Sequence, residues 1–137
     1  MKILTITIML FISTALFSQD LKNKRGHVIA TFEESGIIKD GNNDPIGQFM
    51  VNGKVKDANG DVIGSIDGNT FKDMNGAVIG SINESGEVFD MNDMKIGEIP
   101  GTDSIKDQNG NEMITISSAI DKKKLAAYYF FFFNNII

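Results

Sequence analysis

Five imperfect copies of one pattern, KDxNGxxIGxI, constrain the fold of this chain more than any other feature. The copies span residues 36–49, 53–66, 69–82, 86–99 and 103–116, and a half-copy at 28–32 precedes them. Aligned on its aspartate, the pattern recurs every 16 or 17 residues, at Asp40, Asp57, Asp73, Asp90 and Asp107. Such self-similarity predicts a repeat architecture in which each unit buries its apolar face against its neighbours.

Each copy predicts a β-hairpin of two short strands. The first strand centres on an apolar residue, and a second apolar residue follows eight positions later, as in the pair Val55 and Ile63. Between them, Asp57 suits the start of a type I turn and Gly60 suits a left-handed residue, which is typical of a three-residue loop with a bulge. We therefore expect Val55 and Ile63 to face each other. The left-handed position falls on Asn43, Gly60, Gly76, Asp93 and Gly110.

A glycine follows the second-strand apolar residue in the first four copies, at Gly47, Gly64, Gly80 and Gly97. Glycine inside a strand indicates a bend or a close approach of backbone to another group. In the fifth copy Ile114 occupies this position, and Ala30 occupies it in the half-copy.

The N-terminal residues predict export. A nearly continuous apolar run at 3–17 follows Lys2 and precedes polar residues, which is the layout of a secretory signal peptide. A bilayer span needs about 20 residues, so this run is short for an anchor. We expect a signal peptide at 1–18, an N-terminal segment at 19–27, the repeat domain at 28–116 and a C-terminal helix or tail at 117–137. The predicted location is the periplasm, cell surface or exterior.

The C-terminal segment predicts a helix from about Ala119 to Phe133. Ser118 and Asp121 resemble a capping arrangement, and an unbroken apolar and aromatic run follows at 125–133. Two interpretations are open. The run is either a buried cap over an open end of the repeats, which is the favoured reading, or an anchor for a partner or a membrane surface. The anchor would use Tyr128, Tyr129, Phe130 and Phe131.

With its five KDxNGxxIGxI copies, the chain resembles the small secreted bacterial proteins called five-fold β-flower proteins. The resemblance implies a mainly β fold in which the hairpins spread as petals about a pseudo-five-fold axis, followed here by the C-terminal aromatic helix. It implies no activity. A linear β-solenoid is the alternative arrangement.

Composition excludes several function classes. The net charge of −5 argues against nucleic-acid binding through bulk charge. Cysteine is absent and His27 is the only histidine, which removes most transition-metal sites and the commonest catalytic base. No nucleophile elbow, phosphate loop or zinc signature is present. We expect no enzyme activity and no cofactor.

Two sets of residues are candidate sites. Asp57 and Asp61 lie in a calcium-like DANGD segment, but Val62 and Gly68 stand where an EF-hand loop needs glycine and glutamate, so a turn role is favoured. Lysines recur beside the repeat aspartates and form a candidate interaction surface for a protein or polysaccharide partner. These lysines are Lys39, Lys56, Lys72 and Lys106. The ordinary reading of such residues is solvated charge of little energetic value.

The sequence thus predicts a secreted, non-enzymatic binding or structural repeat module. The alternative is a membrane- or complex-associated subunit, attached through the aromatic C-terminal helix with peripheral membrane contact.

Overall fold

Twelve antiparallel strands close into a barrel in the computed structural model, which describes residues 19–101 and 103–133. Each strand pairs with its neighbours in the sequence, and β1 pairs with both β2 and β12. The strands are β1 Gln19–Lys22, β2 Val28–Phe32, β3 Ile37–Asp40, β4 Pro45–Phe49, β5 Lys54–Asp57, β6 Val62–Asp67, β7 Thr70–Asp73, β8 Val78–Ile82, β9 Glu87–Asp90, β10 Lys95–Glu98, β11 Ser104–Asp107 and β12 Glu112–Ile116. The mainly β fold is confirmed, and a linear solenoid is excluded by the β1–β12 pairing.

The predicted hairpin loop is confirmed. In the β5–β6 loop, the Gly60 amide donates to the Asp57 carbonyl at 3.1 Å, and the Asp57 amide donates to the Asp61 carbonyl at 2.9 Å. Gly60 has a φ of +83°, and the non-glycine residues Asn43 and Asp93 hold the same position at +67° and +64°. Asparagine and aspartate tolerate this conformation best among residues with a side chain.

The register across each hairpin differs from the expectation. Val55 lies opposite Gly64, and Lys56 lies opposite Val62, because the bulge skips Ile63. Val55 is fully buried, whereas Ile63 is half-buried at the edge of the core. The prediction that Val55 and Ile63 face each other was therefore wrong, and the glycine is the residue that shares the inner face with Val55.

A complete sixth hairpin precedes the five copies. Strand β1 supplies buried Leu21 opposite Ala30, and Gly26 has a φ of +78° at the left-handed position. Asn23 takes the place of the repeat aspartate, accepting hydrogen bonds from the amides of Arg25 and His27 at 3.0 Å. The predicted N-terminal segment at 19–27 thus contributes a strand and a turn to the barrel. The predicted signal peptide at 1–18 lies outside the described residues.

The C-terminal segment is helical but begins later than predicted. Helix α1 covers Lys122–Tyr128 and continues as one π-helical turn over Tyr129–Phe133. Its N-cap is Asp121, whose side chain accepts a hydrogen bond from the Lys123 amide at 2.9 Å. The expectation of a start near Ala119 with Ser118 at the cap was wrong.

The helix fills the lumen of the barrel. It enters at the link end, defined by the loops that join successive repeats, where Lys122 and Lys123 lie beside Asn83 and Glu84. It finishes at the turn end, defined by the D-x-N-G loops, where Phe133 lies beside Gly41 and Asn42. The aromatic run is therefore a central plug with the strands around it, not a cap laid over an open end.

Three strand glycines lie directly under aromatic rings of the plug. A Cβ atom on Gly47, Gly64 or Gly80 would lie within 3.0 Å of ring carbons of Phe132, Phe131 and Phe130 respectively. Consecutive plug residues thus contact consecutive hairpins in reverse order. An α-helix turns by about 100° per residue. A π-helix has more residues per turn, which brings its rotation closer to the smaller angle between neighbouring hairpins.

We predict that Gly80→Ala lowers the free energy of unfolding by about 1–3 kcal/mol, the usual effect of overpacking a core. Gly97→Ala is the matched control. Its new Cβ would meet the Lys106 carbonyl oxygen at 2.8 Å, much as that of Gly80 would meet the Phe89 carbonyl oxygen at 2.7 Å, but no ring lies above Gly97. Urea unfolding should give a clearly smaller loss for Gly97→Ala, and Phe130→Leu should partly rescue Gly80→Ala. Equal losses without rescue would mean that ring contact does not require the glycine.

Candidate functional site

The aspartate of each D-x-N-G loop holds the loop together. One carboxylate oxygen of Asp57, Oδ1, accepts hydrogen bonds from the amides of Asn59 at 2.9 Å and Asp61 at 3.0 Å. The same pair of bonds recurs at the other repeat aspartates, which are Asp40, Asp73, Asp90 and Asp107. These bonds lower the pKa of the Asp107 carboxyl, with the Asn111 amide the main cause. Among the residues that the structure describes, no three histidine, cysteine or carboxylate side chains form a metal-binding group.

We predict that Asp57→Ala lowers the free energy of unfolding by about 1–2 kcal/mol, since two backbone amides lose their acceptor. Asp57→Asn should retain nearly full stability, because Asn23 makes the same bonds in the first hairpin. Both variants are measured by urea unfolding with and without calcium chloride. A calcium-dependent stabilisation of the wild type that disappears in Asp57→Asn would assign Asp57 to a cation site instead of a turn.

The candidate lysines lie on the outer wall, one on each of four first strands. Lys39 pairs with Glu33 at 2.6 Å, and Lys72 pairs with Asp67 at 2.7 Å. The Lys72 ammonium lowers the pKa of the Asp67 carboxyl, chiefly through their hydrogen bond. Lys56 and Lys106 occupy the equivalent strand positions, and Lys22 of β1 adds a fifth that sequence analysis missed. Equivalent positions lie two strands apart, about 10 Å, so the lysines form a sparse belt and no concentrated site.

The aromatic residues of the proposed interaction surface lie inside the barrel. Tyr128 and Phe131 are 1% and 5% exposed, and Tyr129 and Phe130 are half-buried against the strands. Ring pairs connect the plug to the wall, including Phe32–Tyr128 at 5.6 Å and Phe71–Phe130 at 5.1 Å between centroids. Tyr128 and Phe131 therefore belong to the core in this fold and present almost no surface to a partner.

A pocket of about 560 Å³ opens at the turn end, between the first and second hairpins. We call it the mouth pocket. Its walls are chiefly apolar, and Asp40 and Asn42 supply polar groups at its edge. The lining residues are Val28, Ile29, Asp40, Gly41, Asn42, Ile46, Tyr128 and Phe133. The volume falls within the range of about 300–1,000 Å³ that is usual for small-molecule sites.

Other spaces in the described part of the chain suit a ligand less well. Beside Gly97, Ala126 and Tyr129, a cavity of about 10 Å³ has room for roughly one water molecule. At the link end, a groove of about 410 Å³ is lined mainly by polar residues, among them Asn83, Glu84 and Lys122. The mouth pocket is the candidate site. No sequence motif indicated this pocket, because its walls come from two hairpins and the plug.

Burial raises the pKa of Tyr128 to about 12. The phenol that borders the mouth pocket is therefore neutral at physiological pH, when it can donate a hydrogen bond but cannot act as a base.

We predict that Tyr128 makes folding sensitive to high pH. Below pH 10 the phenol is neutral in both states, but between pH 10 and 12 it ionises in the unfolded chain alone, so its contribution to stability is lost as pH rises. Each unit of pKa shift corresponds to about 1.4 kcal/mol. Urea unfolding at pH 8, 10 and 11 should show the wild type losing more stability than Tyr128→Phe. Parallel curves for the two proteins would show that the phenol is hydrated in the folded state.

Comparison with known proteins identifies the family of this chain. The sequence model described as "5-fold beta-flower protein" matches residues 18–134, which include every hairpin and the plug. The chain belongs to the 5-fold beta-flower family. Searches of curated proteins and of solved structures found no match. The resemblance seen in the repeat pattern is confirmed. The family description names no activity for the β-flower fold.

Within the residues that the structure describes, the β-flower protein has no helix with the length and apolar character needed to cross a bilayer.

Proposed function

We propose that this β-flower protein is an exported, non-enzymatic binding module that holds a small molecule with an apolar body in the mouth pocket. The observation that carries the proposal is the pocket itself, an open and largely apolar space at one end of a barrel whose lumen is otherwise filled. Export is supported by the apolar run at 3–17 and the polar residues after it.

The polar groups of the mouth pocket suit ligand binding better than acid–base catalysis. The Asp40 carboxylate already accepts bonds from the amides of Asn42 and Asp44, at 2.9 and 3.0 Å, so one of its oxygens is used by the turn. Tyr128 stays neutral. Neither residue has an adjacent histidine, lysine or second carboxylate in the pocket lining to complete an acid–base pair. An uncharged or cationic polar end on the ligand would suit the carboxylate at the edge.

The alternative of attachment through the aromatic helix has less support. Its key side chains would have to leave the core, which would expose Tyr128 and Phe131 and uncover the glycines beneath the rings. The lysine belt gives weak support for a polymer partner, because two of its members are paired with nearby carboxylates.

The test is a titration of the protein with a neutral fluorescent apolar probe, N-phenyl-1-naphthylamine. We predict saturable binding to the wild type and at least tenfold weaker binding to Ile46→Asp, because the substitution places a charge in the pocket wall. A tenfold loss corresponds to about 1.4 kcal/mol.

Ile63→Asp is the matched control for this substitution. Ile63 has the same repeat position and the same partial burial in the third hairpin, but it does not line the mouth pocket. Its effect on probe affinity should be under twofold, whereas its effect on stability should equal that of Ile46→Asp. Equal affinity losses in the two variants, or no saturable binding to the wild type, would contradict the proposal.

A further inference from the structure

Two neighbouring turns expose an unusual set of apolar side chains. Met74 in the β7–β8 turn is 68% exposed, and Met91 and Met94 in the β9–β10 turn are 66% and 64% exposed. Val78 beside them is 47% exposed. We call the three methionines the thioether cluster. Apolar side chains at turn positions give up the stabilisation that burial would provide, so the exposure of three methionines here suggests a role other than folding.

The backbone holds the two turns in fixed positions side by side. In the β9–β10 turn, Asp90 accepts bonds from the amides of Asn92 and Met94 at 2.9 and 3.0 Å. Asp73 makes the equivalent bonds to Asn75 and Ala77. Strands β8 and β9 are paired, with Gly80 opposite Asp90, so equivalent positions of the two turns lie two strand spacings apart, about 10 Å. Two long, flexible methionine side chains span such a gap.

Local charge favours a cation at this place. Asp73, Asp90 and Asp93 lie on the two turns. In the fourth copy Phe89 replaces the lysine that the other copies carry at this position, which removes one positive charge. Lys95, opposite Phe89, is paired with Glu87 at 3.2 Å and Glu98 at 3.6 Å. Lys72 is likewise paired with Asp67.

We propose that the thioether cluster is a binding site for a soft monovalent metal ion, Cu(I) or Ag(I). Thioether sulfur is a soft ligand that selects Cu(I), whereas calcium and magnesium require oxygen ligands and zinc takes cysteine, histidine or carboxylate. The absence of cysteine and the single histidine leave methionine as the soft ligand that this chain possesses. Met91 and Met94 supply two sulfurs from one turn, and Met74 supplies the third. No electron transfer is involved.

The experiment follows the methionine methyl groups by NMR. Protein carrying ¹³C-labelled methionine methyls is titrated with silver nitrate in chloride-free buffer, and separately with Cu(I) under anaerobic conditions in the presence of a competing chelator. We expect saturable shifts of the Met74, Met91 and Met94 methyl signals. The half-buried Met50 and Met113 should not shift.

Leucine variants separate metal binding from an apolar contact with a protein. The double variant Met91→Leu/Met94→Leu keeps the apolar surface but removes two sulfurs, so metal affinity should fall at least tenfold. Met50→Leu is the control and should bind as the wild type does. Unchanged affinity in the double variant, or equal shifts at Met50 and the cluster, would overturn the proposal. The cluster and the mouth pocket lie on different hairpins, so either proposal can fail while the other stands.

Discussion

The close approach of aromatic rings to strand glycines governs this structure. Gly47, Gly64 and Gly80 have no Cβ, and rings of Phe132, Phe131 and Phe130 occupy the space that a methyl group would fill. The same glycines lie against carbonyl oxygens of the next strand, so a side chain there would disturb both the wall and the plug. A barrel whose wall lies this close to a helix in its lumen requires small residues at some inward positions. The repeated glycine meets that requirement, and the regular spacing of the repeat places it on four successive hairpins of the ring.

Where a hairpin departs from the repeat pattern, the contact between the barrel wall and the plug also changes. Ile114 replaces glycine in the last hairpin and is itself 1% exposed, so the wall side chain fills volume there that a ring fills elsewhere. In the first hairpin Ala30 replaces the same glycine and adds only a methyl group to the inner face of the wall. Gly97 keeps the glycine but has no ring above it, and a small cavity lies there beside Tyr129. The mouth pocket opens beside the first hairpin, where the aromatic run reaches Phe133 and the described helix ends.

The conformation of the turns was predictable from the sequence, whereas the pairing register of the strands was not. The left-handed positions at Asn43 and Asp93 followed from the repeat alignment with Gly60, Gly76 and Gly110, and from residue type, because few residues with a side chain tolerate positive φ. The pairing of Val55 with Gly64 did not, since a bulge shifts the register by one residue and exchanges the inner and outer faces. The first hairpin was overlooked because asparagine replaces its aspartate, although Asn23 and Gly26 preserve the loop spacing. The apolar and aromatic run at 125–133 indicated burial, but a lumen large enough to receive it arises only when all the hairpins close together. The mouth pocket depends on that same closure, so no local pattern could indicate it.

Because the plug fills the lumen, the side chains that differ most between hairpins and remain exposed lie at the turn end. The backbone of each turn is fixed by its aspartate or asparagine, yet the residue after it is exposed and differs in nearly every hairpin: Lys24, Gly41, Ala58, Met74, Met91 and Gln108. Gly41 is restricted, because a Cβ there would lie 2.5 Å from the Val28 carbonyl oxygen. At the other five positions a substitution leaves the hydrogen bonds of the turn intact, so side chains there can change without loss of the fold. Gly41 leaves space at the mouth pocket, whereas Met74 and Met91 place sulfur at the surface. A scaffold with uniform turns and variable tips therefore separates the requirements of folding from those of recognition, and both proposed sites include residues at the tips.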